Sequence, residues 1–230
     1  MTGWTDYALA LGFFVASHFL PRIGGLRERL IKAVGRRIYF SAYGLLSLAL
    51  LAWIIAAAAG APYVEIWPQR PWARLLANLA MPVAVILATC GAGLAQPYTL
   101  GGRRTARFDP ANPGFAAVSR HPVFLALALW ATVHLLPNGD LAHVILFGSF
   151  VVMALAAIPA FDAKARGALG PEADSFFAST AILSLAPLLR GAWLRANGRA
   201  LAIRTALALL LCLALLSLHT AVIGVSPFPA

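Results

Sequence analysis

Six apolar stretches alternate with shorter polar or charged segments along the chain. A helix that crosses the hydrocarbon layer of a membrane needs about 20 mainly apolar residues, because roughly 30 Å must be covered at about 1.5 Å per residue. The six stretches reach or approach that length, and they cover residues 4–20, 39–59, 75–95, 121–136, 141–161 and 205–225. A further stretch, residues 176–189, is too short to cross and is predicted to be an interfacial or re-entrant helix. The pattern therefore predicts an all-α fold, a polytopic membrane helix bundle with about six transmembrane helices.

The composition excludes a water-soluble fold. Of the 230 residues, 61% are hydrophobic and 11% are charged, whereas a soluble domain is about 25% charged. We therefore predict a single integral membrane domain over residues 1–230, with membrane lipid as a partner. The two cysteines, Cys90 and Cys212, lie inside apolar stretches without a CxxC partner, which is typical of packing residues and not of a disulfide framework.

The positive charge is distributed to one side of the predicted bundle. Sixteen of the 18 Lys and Arg residues fall in three loops on one side, and only Arg70 and Arg74 fall on the other. Because cytoplasmic loops are enriched in Lys and Arg, this bias predicts a multi-pass protein of the bacterial inner membrane with both termini in the periplasm. The net charge of +10 is then a topology signal. Its spread over several loops is not typical of a nucleic-acid-binding motif, so no nucleic-acid partner is expected.

Histidines are the main candidates for chemistry in so apolar a chain. Ionisable side chains inside a bilayer are costly and mark functional sites, and an imidazole can ligate haem iron or relay protons. The alternative interpretation is that a histidine lies at the lipid interface or bonds a backbone carbonyl without further function. The chain has five: His18, His121, His134, His143 and His219.

Two of these histidines lie in polar clusters. Arg120 and His121 come directly before Pro122, which is typical of the first turn of a helix. The two cationic side chains can hold an anionic group at the cytoplasmic boundary, or they can simply anchor the helix there. Trp130 and His134 are four residues apart and share a helix face. The indole can therefore form one side of a pocket into which the imidazole points.

The turn after the fourth apolar stretch has its own signature. Asn138-Gly139 is a strong turn signal, and Asp140 is placed to cap the helix that follows. We therefore assign these polar residues to the turn first, and not to a site.

Three segments resemble the NnrU membrane proteins, a family linked by name and context to bacterial nitrite and nitric oxide metabolism. They are SHFLPR at 17–22, GRRIYFSAYGLLSL at 35–48 and SRHPVFLALALWATVHLLPNGD at 119–140. The same pattern is similar to that of plant and cyanobacterial zeta-carotene isomerase, a relative that holds haem b and isomerises a double bond of a carotenoid precursor. The resemblance covers roughly the first 160 residues. A cysteine that the isomerase carries three residues before its second histidine is Ala131 here, so thiolate ligation is not expected.

The resemblance to the isomerase implies a haem b held between His18 and His134. The thirteen-residue step from His121 to His134 is kept, as is the aromatic residue Trp130. Depth along the predicted helices favours a different pair, because axial ligands must reach one iron from similar depths. His134 and His219 each lie 14 or 15 residues beyond the cytoplasmic boundary, or about 21 Å in, whereas His18 lies near that boundary. Both pairs stay open, and His134 belongs to each.

A second resemblance, carried by fewer residues, is to the C-terminal half of the isoprenylcysteine carboxyl methyltransferases. In those enzymes an RHP motif and a downstream glutamate pair help to form the pocket for S-adenosylmethionine. The chain has the RHP motif at Arg120-His121-Pro122, and Phe161-Asp162 stands where the glutamate pair would be. This resemblance implies catalytic roles for Arg120, His121 and Asp162 at the cytoplasmic face, with S-adenosylmethionine as the cofactor.

Three functions are consistent with these patterns. The first is an NnrU-type protein that binds haem b and acts in nitrite or nitric oxide metabolism, or in the cis–trans isomerisation of a lipid-soluble polyene. The second is a membrane methyltransferase. The third is a non-enzymatic membrane assembly protein whose histidines are structural. Whether the chain is an enzyme stays open at this point.

Overall fold

The computed structural model describes residues 3–229, except for the side chain of Arg22. Residues 1, 2 and 230, which the single-domain prediction includes, lie outside the described residues, and that prediction stays a prediction. The described chain forms two compact units. Unit 1 comprises residues 3–68 and Asn138–Leu146, and unit 2 comprises Gln69–Pro137 and residues 147–229.

Unit 1 is built around two packed helices. Its helices are α1 (Gly3–Phe19), α2 (Leu26–Val34) and α3 (Arg36–Ala59), and α1 packs against α3. The 3₁₀ turn Leu20–Gly25 separates α1 from α2, and its residues Ile23 and Gly24 have non-helical backbone angles. The chain therefore bends by 76° between α1 and the helix that follows it. The buried hydroxyl of Tyr7 donates to the carbonyl of Ala142, 2.8 Å away, within the same unit.

Unit 2 contains most of the remaining helices. They are α4 (Pro71–Gly91), α5 (Pro122–Leu135), α7 (Ala173–Ser179) and α8 (Gly191–Ile223), together with α6 (Leu141–Leu169) from residue 147 onward. Prolines stand in the first turns of α4 and α5, where the missing N–H has no intrahelical partner to lose. Helix α4 packs against both α5 and α8.

The helices confirm the predicted fold class. Among the described residues, four helical segments are long and apolar enough to cross a membrane, and the bent pair formed by α1 and α2 raises the number to five. Helix α5 is apolar but shorter. No strand occurs among residues 3–229, where an isolated bridge joins Glu65 and Asp140. The chain is thus an all-α, multi-pass membrane protein in which apolar helices face lipid.

Hydropathy located the helices better than it located their ends. Helix α8 begins at Gly191, although the apolar stretch begins only at residue 205. Helix α2 lies in a segment that the charge pattern predicts to be a basic loop. Charged residues are good helix formers, so a helix continues where its sequence becomes polar. The predicted short helix in residues 176–189 is divided between α7 and the 3₁₀ turn Ala186–Leu189.

Candidate functional site

Arg120, His121 and Asp162 come together in unit 2. Arg120 and His121 directly precede α5, and Asp162 lies on α6. The Arg120 guanidinium donates from Nε to Asp162 Oδ1 at 2.9 Å and from Nη2 to Asp162 Oδ2 at 2.6 Å, a bidentate pair. His121 Nε2 lies 2.8 Å from the same Oδ1. The structure thus joins three residues that are 42 positions apart at most. Their catalytic roles, which the methyltransferase resemblance implied, stay a prediction.

The loop between α4 and α5 completes this cluster. Thr99 Oγ1 lies 3.0 Å from His121 Nδ1, and the fully buried Gln96 donates from Nε2 to the carbonyl of Arg120 at 2.8 Å. The backbone N–H of His121 donates to Ser119 Oγ at 3.2 Å. Sequence reasoning missed Gln96 and Thr99, because neither belongs to a motif. A lone amide just after a long apolar stretch is the one signal that could have identified Gln96.

The hydrogen bonds assign a neutral imidazole to His121. A carboxylate only accepts, so Nε2 carries the proton toward Asp162, and Nδ1 then accepts from the hydroxyl of Thr99. Burial lowers the pKa of His121 below its ordinary value of 6.5, and the hydrogen bond to Asp162 opposes that shift without cancelling it. The side chain of His121 is only 2% exposed. This geometry fixes the start of α5, and it presents no free imidazole to solvent.

The Arg120 side chain is also covered by an aromatic ring. Its guanidinium carbon lies 5.0 Å from the ring centroid of Phe177, and the guanidinium carbon of Arg166 lies 3.9 Å from the same centroid. Cations over an aromatic face are attracted by the ring quadrupole. Phe177 thus has a packing role between Arg120 and Arg166.

His134 lies in an aromatic environment within unit 2. Its Nδ1 lies 2.8 Å from the carbonyl oxygen of Trp130, one turn earlier on α5. Its ring centroid lies 5.4 Å from that of Trp130 and 5.4 Å from that of Phe147 on α6. The ring of Phe150 contacts Trp130 on the other side, with the centroids 5.5 Å apart. The predicted pairing of Trp130 with His134 is therefore present, and the imidazole is half-buried among rings.

His219 belongs to the same unit as His134. It lies on α8, and its Nδ1 is 2.8 Å from the carbonyl oxygen of Val225. It therefore shares unit 2 with His134. The similar depth of the two histidines in the membrane stays a prediction.

His18 lies in unit 1, near the end of α1. Its Nδ1 is 2.8 Å from the carbonyl oxygen of Phe14 and 3.1 Å from Ser17 Oγ. The centroid of the Phe14 ring lies 4.5 Å from that of His18, with the two planes tilted by 33°, and the ring of Tyr43 meets the imidazole edge-on at 5.8 Å. His143, the remaining histidine, pairs with Asp140 in unit 1, and Asp140 also accepts from the backbone N–H of His143 at 3.3 Å, so its predicted role as a helix cap is confirmed.

The three candidate ligands share one hydrogen-bond arrangement. His18, His134 and His219 each direct Nδ1 at a backbone carbonyl oxygen. A carbonyl only accepts, so Nδ1 carries the proton and the lone pair of the neutral ring lies on Nε2. Histidines that ligate metals are oriented in the same way, by a hydrogen bond from the other ring nitrogen. The chemistry of these donors fits an axial ligand of haem.

A site made of several protein ligands does not fit the described residues. Within residues 3–229, no group of three or more His, Cys, Asp or Glu side chains is arranged to hold a metal ion. Haem needs only one or two axial ligands, because the porphyrin supplies the rest.

The family of the chain is shown by its sequence. The family model described as NnrU protein matches residues 7–227. The chain belongs to the NnrU family. The match confirms the first resemblance and extends it beyond the first 160 residues to α8, which carries His219. The comparisons show no relation to the isoprenylcysteine carboxyl methyltransferases. No curated protein and no solved structure matches the chain.

Proposed function

We propose that this NnrU-family protein binds haem b within the membrane, with His134 as an axial ligand. The observation that carries the proposal is the hydrogen bond from His134 Nδ1 to the carbonyl of Trp130, which leaves the lone pair on Nε2. The rings of Trp130 and Phe147 make the surroundings of the imidazole apolar, which would limit the access of water to a haem bound there.

The second axial ligand is the point on which the two predicted pairs differ. His219 lies in the same unit as His134 and also directs Nδ1 at a backbone carbonyl, and we propose it as the partner. His18, which the isomerase resemblance implies, has the same arrangement of Nδ1 and a carbonyl, and it is the alternative. The haem contents of His219→Ala and His18→Ala distinguish the two pairs.

The proposed role is in nitrite or nitric oxide metabolism, at the bacterial inner membrane. A bound haem supplies one-electron chemistry or a binding site for a nitrogen oxide. The protein contributes the imidazole, the apolar walls and the exclusion of water. Cis–trans isomerisation of a lipid-soluble polyene is the alternative use of the same site. The excess of Lys and Arg in three loops supports a topology with both termini in the periplasm, and reporter fusions at each terminus test it.

Haem content of purified variants tests the site. We expect His134→Ala to lose haem while the protein remains folded, and His219→Ala to lose it to the same degree, with His18→Ala unaffected. The matched control is His143→Ala, because His143 pairs with Asp140 and is not a candidate ligand. Loss of haem in His18→Ala with retention in His219→Ala would favour the alternative pair. Equal haem content in all four variants would exclude both pairs.

A second candidate function is methyl transfer from S-adenosylmethionine, and the convergence of Arg120, His121 and Asp162 supports it. Calorimetric titration of the purified protein with S-adenosylmethionine tests this candidate. Binding that Asp162→Asn abolishes is the expected result if it holds. Absence of binding, together with absence of haem, would leave a non-enzymatic assembly protein.

A further inference from the structure

A cavity of about 280 Å³ lies in unit 2, away from the histidines discussed above. It is bounded by the loop that follows α4 and by the first, charged part of α8. None of its lining residues, all of which belong to the described part of the chain, is acidic. Its polar walls are Arg103, Asn112, Trp193, Asn197 and Arg204.

The two arginines of this cavity are not neutralised. Arg204 donates from Nη1 to the carbonyls of Thr89 and of Ala92, the latter at 2.7 Å, and this holds the guanidinium against the end of α4. In the part of the chain that the structure describes, the ion pairs involve other residues, so no carboxylate lies within 4.0 Å of Arg103 or Arg204. The cavity therefore carries two positive charges without a counter-ion from the protein.

Both side chains line the cavity beside Gly93, in the loop that follows α4. A Cβ atom built on Gly93 would lie 4.0 Å from Arg103 Cγ and 4.0 Å from Arg204 Nη2. Both cationic side chains thus flank the same stretch of loop backbone. Two arginines in one cavity can bind a phosphate through several charge-assisted hydrogen bonds.

The rest of the wall is held in place by its own hydrogen bonds. Trp193 Nε1 donates to the carbonyl of Gly114 at 3.1 Å, and Asn197 Nδ2 donates to the carbonyl of Trp193 at 3.2 Å. Leu94 and Leu201 add apolar surface to the same cavity. The cavity is therefore largely formed before any ligand enters, which lowers the entropic cost of binding.

The cavity lies at a predicted membrane boundary. Arg204 directly precedes the apolar stretch of α8 that begins at residue 205. The charged part of α8 therefore ends, and its apolar part begins, beside the cavity. Basic pockets at the ends of membrane helices bind the head groups of anionic lipids. A volume of 280 Å³ is near the lower limit of about 300 Å³ for small-molecule sites, so it suits a head group better than a large ligand.

We propose that this cavity is a binding site for a phosphate anion, carried either by the head group of an anionic lipid or by a soluble phosphate ester. Arg103 and Arg204 bind the phosphate, and Trp193 covers the adjoining glycerol or ester group. The site is separate from the haem proposed above, and its occupancy does not depend on that haem.

The test is a titration of the purified full chain in detergent with short-chain phosphatidylglycerol, with phosphatidylcholine of the same chain length, and with glycerol 3-phosphate. We expect a phosphate probe to bind at least tenfold more tightly than phosphatidylcholine, and Arg103→Gln to weaken that binding at least tenfold. Arg103→Gln is the decisive variant, because Arg204→Gln also removes contacts with α4. Arg199→Gln is the matched control, since Arg199 is exposed on α8 and does not line the cavity.

The two sources of phosphate give different results. Binding of phosphatidylglycerol that glycerol 3-phosphate does not displace identifies a lipid head group. Binding of glycerol 3-phosphate with equal affinity identifies a soluble ester. The proposal is overturned if no phosphate probe binds better than phosphatidylcholine, or if Arg103→Gln and Arg199→Gln bind equally well.

Discussion

Replacing Asp162 by asparagine removes the anion on which the Arg120–His121 cluster depends. The substitution keeps the size of the side chain, but it leaves the Arg120 guanidinium without a counter-ion. It also replaces one carboxylate oxygen, which accepts a hydrogen bond, by an NH₂ group that would face an N–H donor of Arg120 or His121. The side chains of Arg120 and Asp162 are 11% and 18% exposed, so solvent screens them little. Removing one partner of a buried ion pair costs about 3–5 kcal/mol. Because Asp162 keeps some contact with solvent, we expect about 3 kcal/mol, which is about a hundredfold in the unfolding equilibrium.

Reversible unfolding of the purified protein in mixed micelles, followed by circular dichroism, measures this change. The matched control is Asp174→Asn on α7, because Asp174 is exposed and takes no part in the cluster. We expect the free energy of unfolding of Asp174→Asn to stay within about 0.5 kcal/mol of that of the natural protein. A loss below about 1 kcal/mol for Asp162→Asn, or one equal to that of Asp174→Asn, would refute the assigned role of this carboxylate.

Three further perturbations follow from the same structure. Gly102→Ala places a Cβ atom against the carbonyl oxygen of Gln96, so we expect a lower melting temperature. Gly148→Ala should raise the melting temperature slightly, because no atom lies within 4 Å of its new Cβ. Burial lowers the pKa of His121 in the folded protein, so the unfolded chain binds more protons below pH 6.5 than the folded protein does. The free energy of unfolding should therefore fall as the pH drops from 6.5. A flat profile of that free energy between pH 7 and pH 5 would contradict this. Asp140→Ala removes the cap of α6 and should cost about 1 kcal/mol in the same unfolding assay, and an unchanged value would argue against the cap.

Much of the fold could be predicted from the sequence, because hydropathy and helix length are set by the bilayer. Each of the six apolar stretches overlaps one of the helices α1, α3, α4, α5, α6 and α8. The ends of helices were predicted less well. Helix α2 and the first turns of α8 are rich in charged residues. A hydropathy pattern indicates where a segment leaves the lipid, and it does not indicate where the backbone hydrogen bonds of the helix end.

The candidate site could be predicted only in part. The RHP motif identified Arg120 and His121, and the resemblance to methyltransferases added Asp162 at a distance along the sequence. The roles of Gln96 and Thr99 could not be predicted, because they depend on how the loop after α4 returns to the start of α5. The spacing of Trp130 and His134 predicted their contact correctly, since residues four apart share a helix face.

Haem binding at His134 is tested most directly by the absorption spectrum of the detergent-purified full chain, produced with an adequate haem supply and recorded oxidised and then reduced. We expect a Soret band in the oxidised protein that shifts on reduction, together with the sharp visible bands of a haem b with two imidazole ligands, and we expect His134→Ala to lose them. A well-folded natural protein without Soret absorbance, or a His134→Ala variant with an unchanged spectrum, would contradict it.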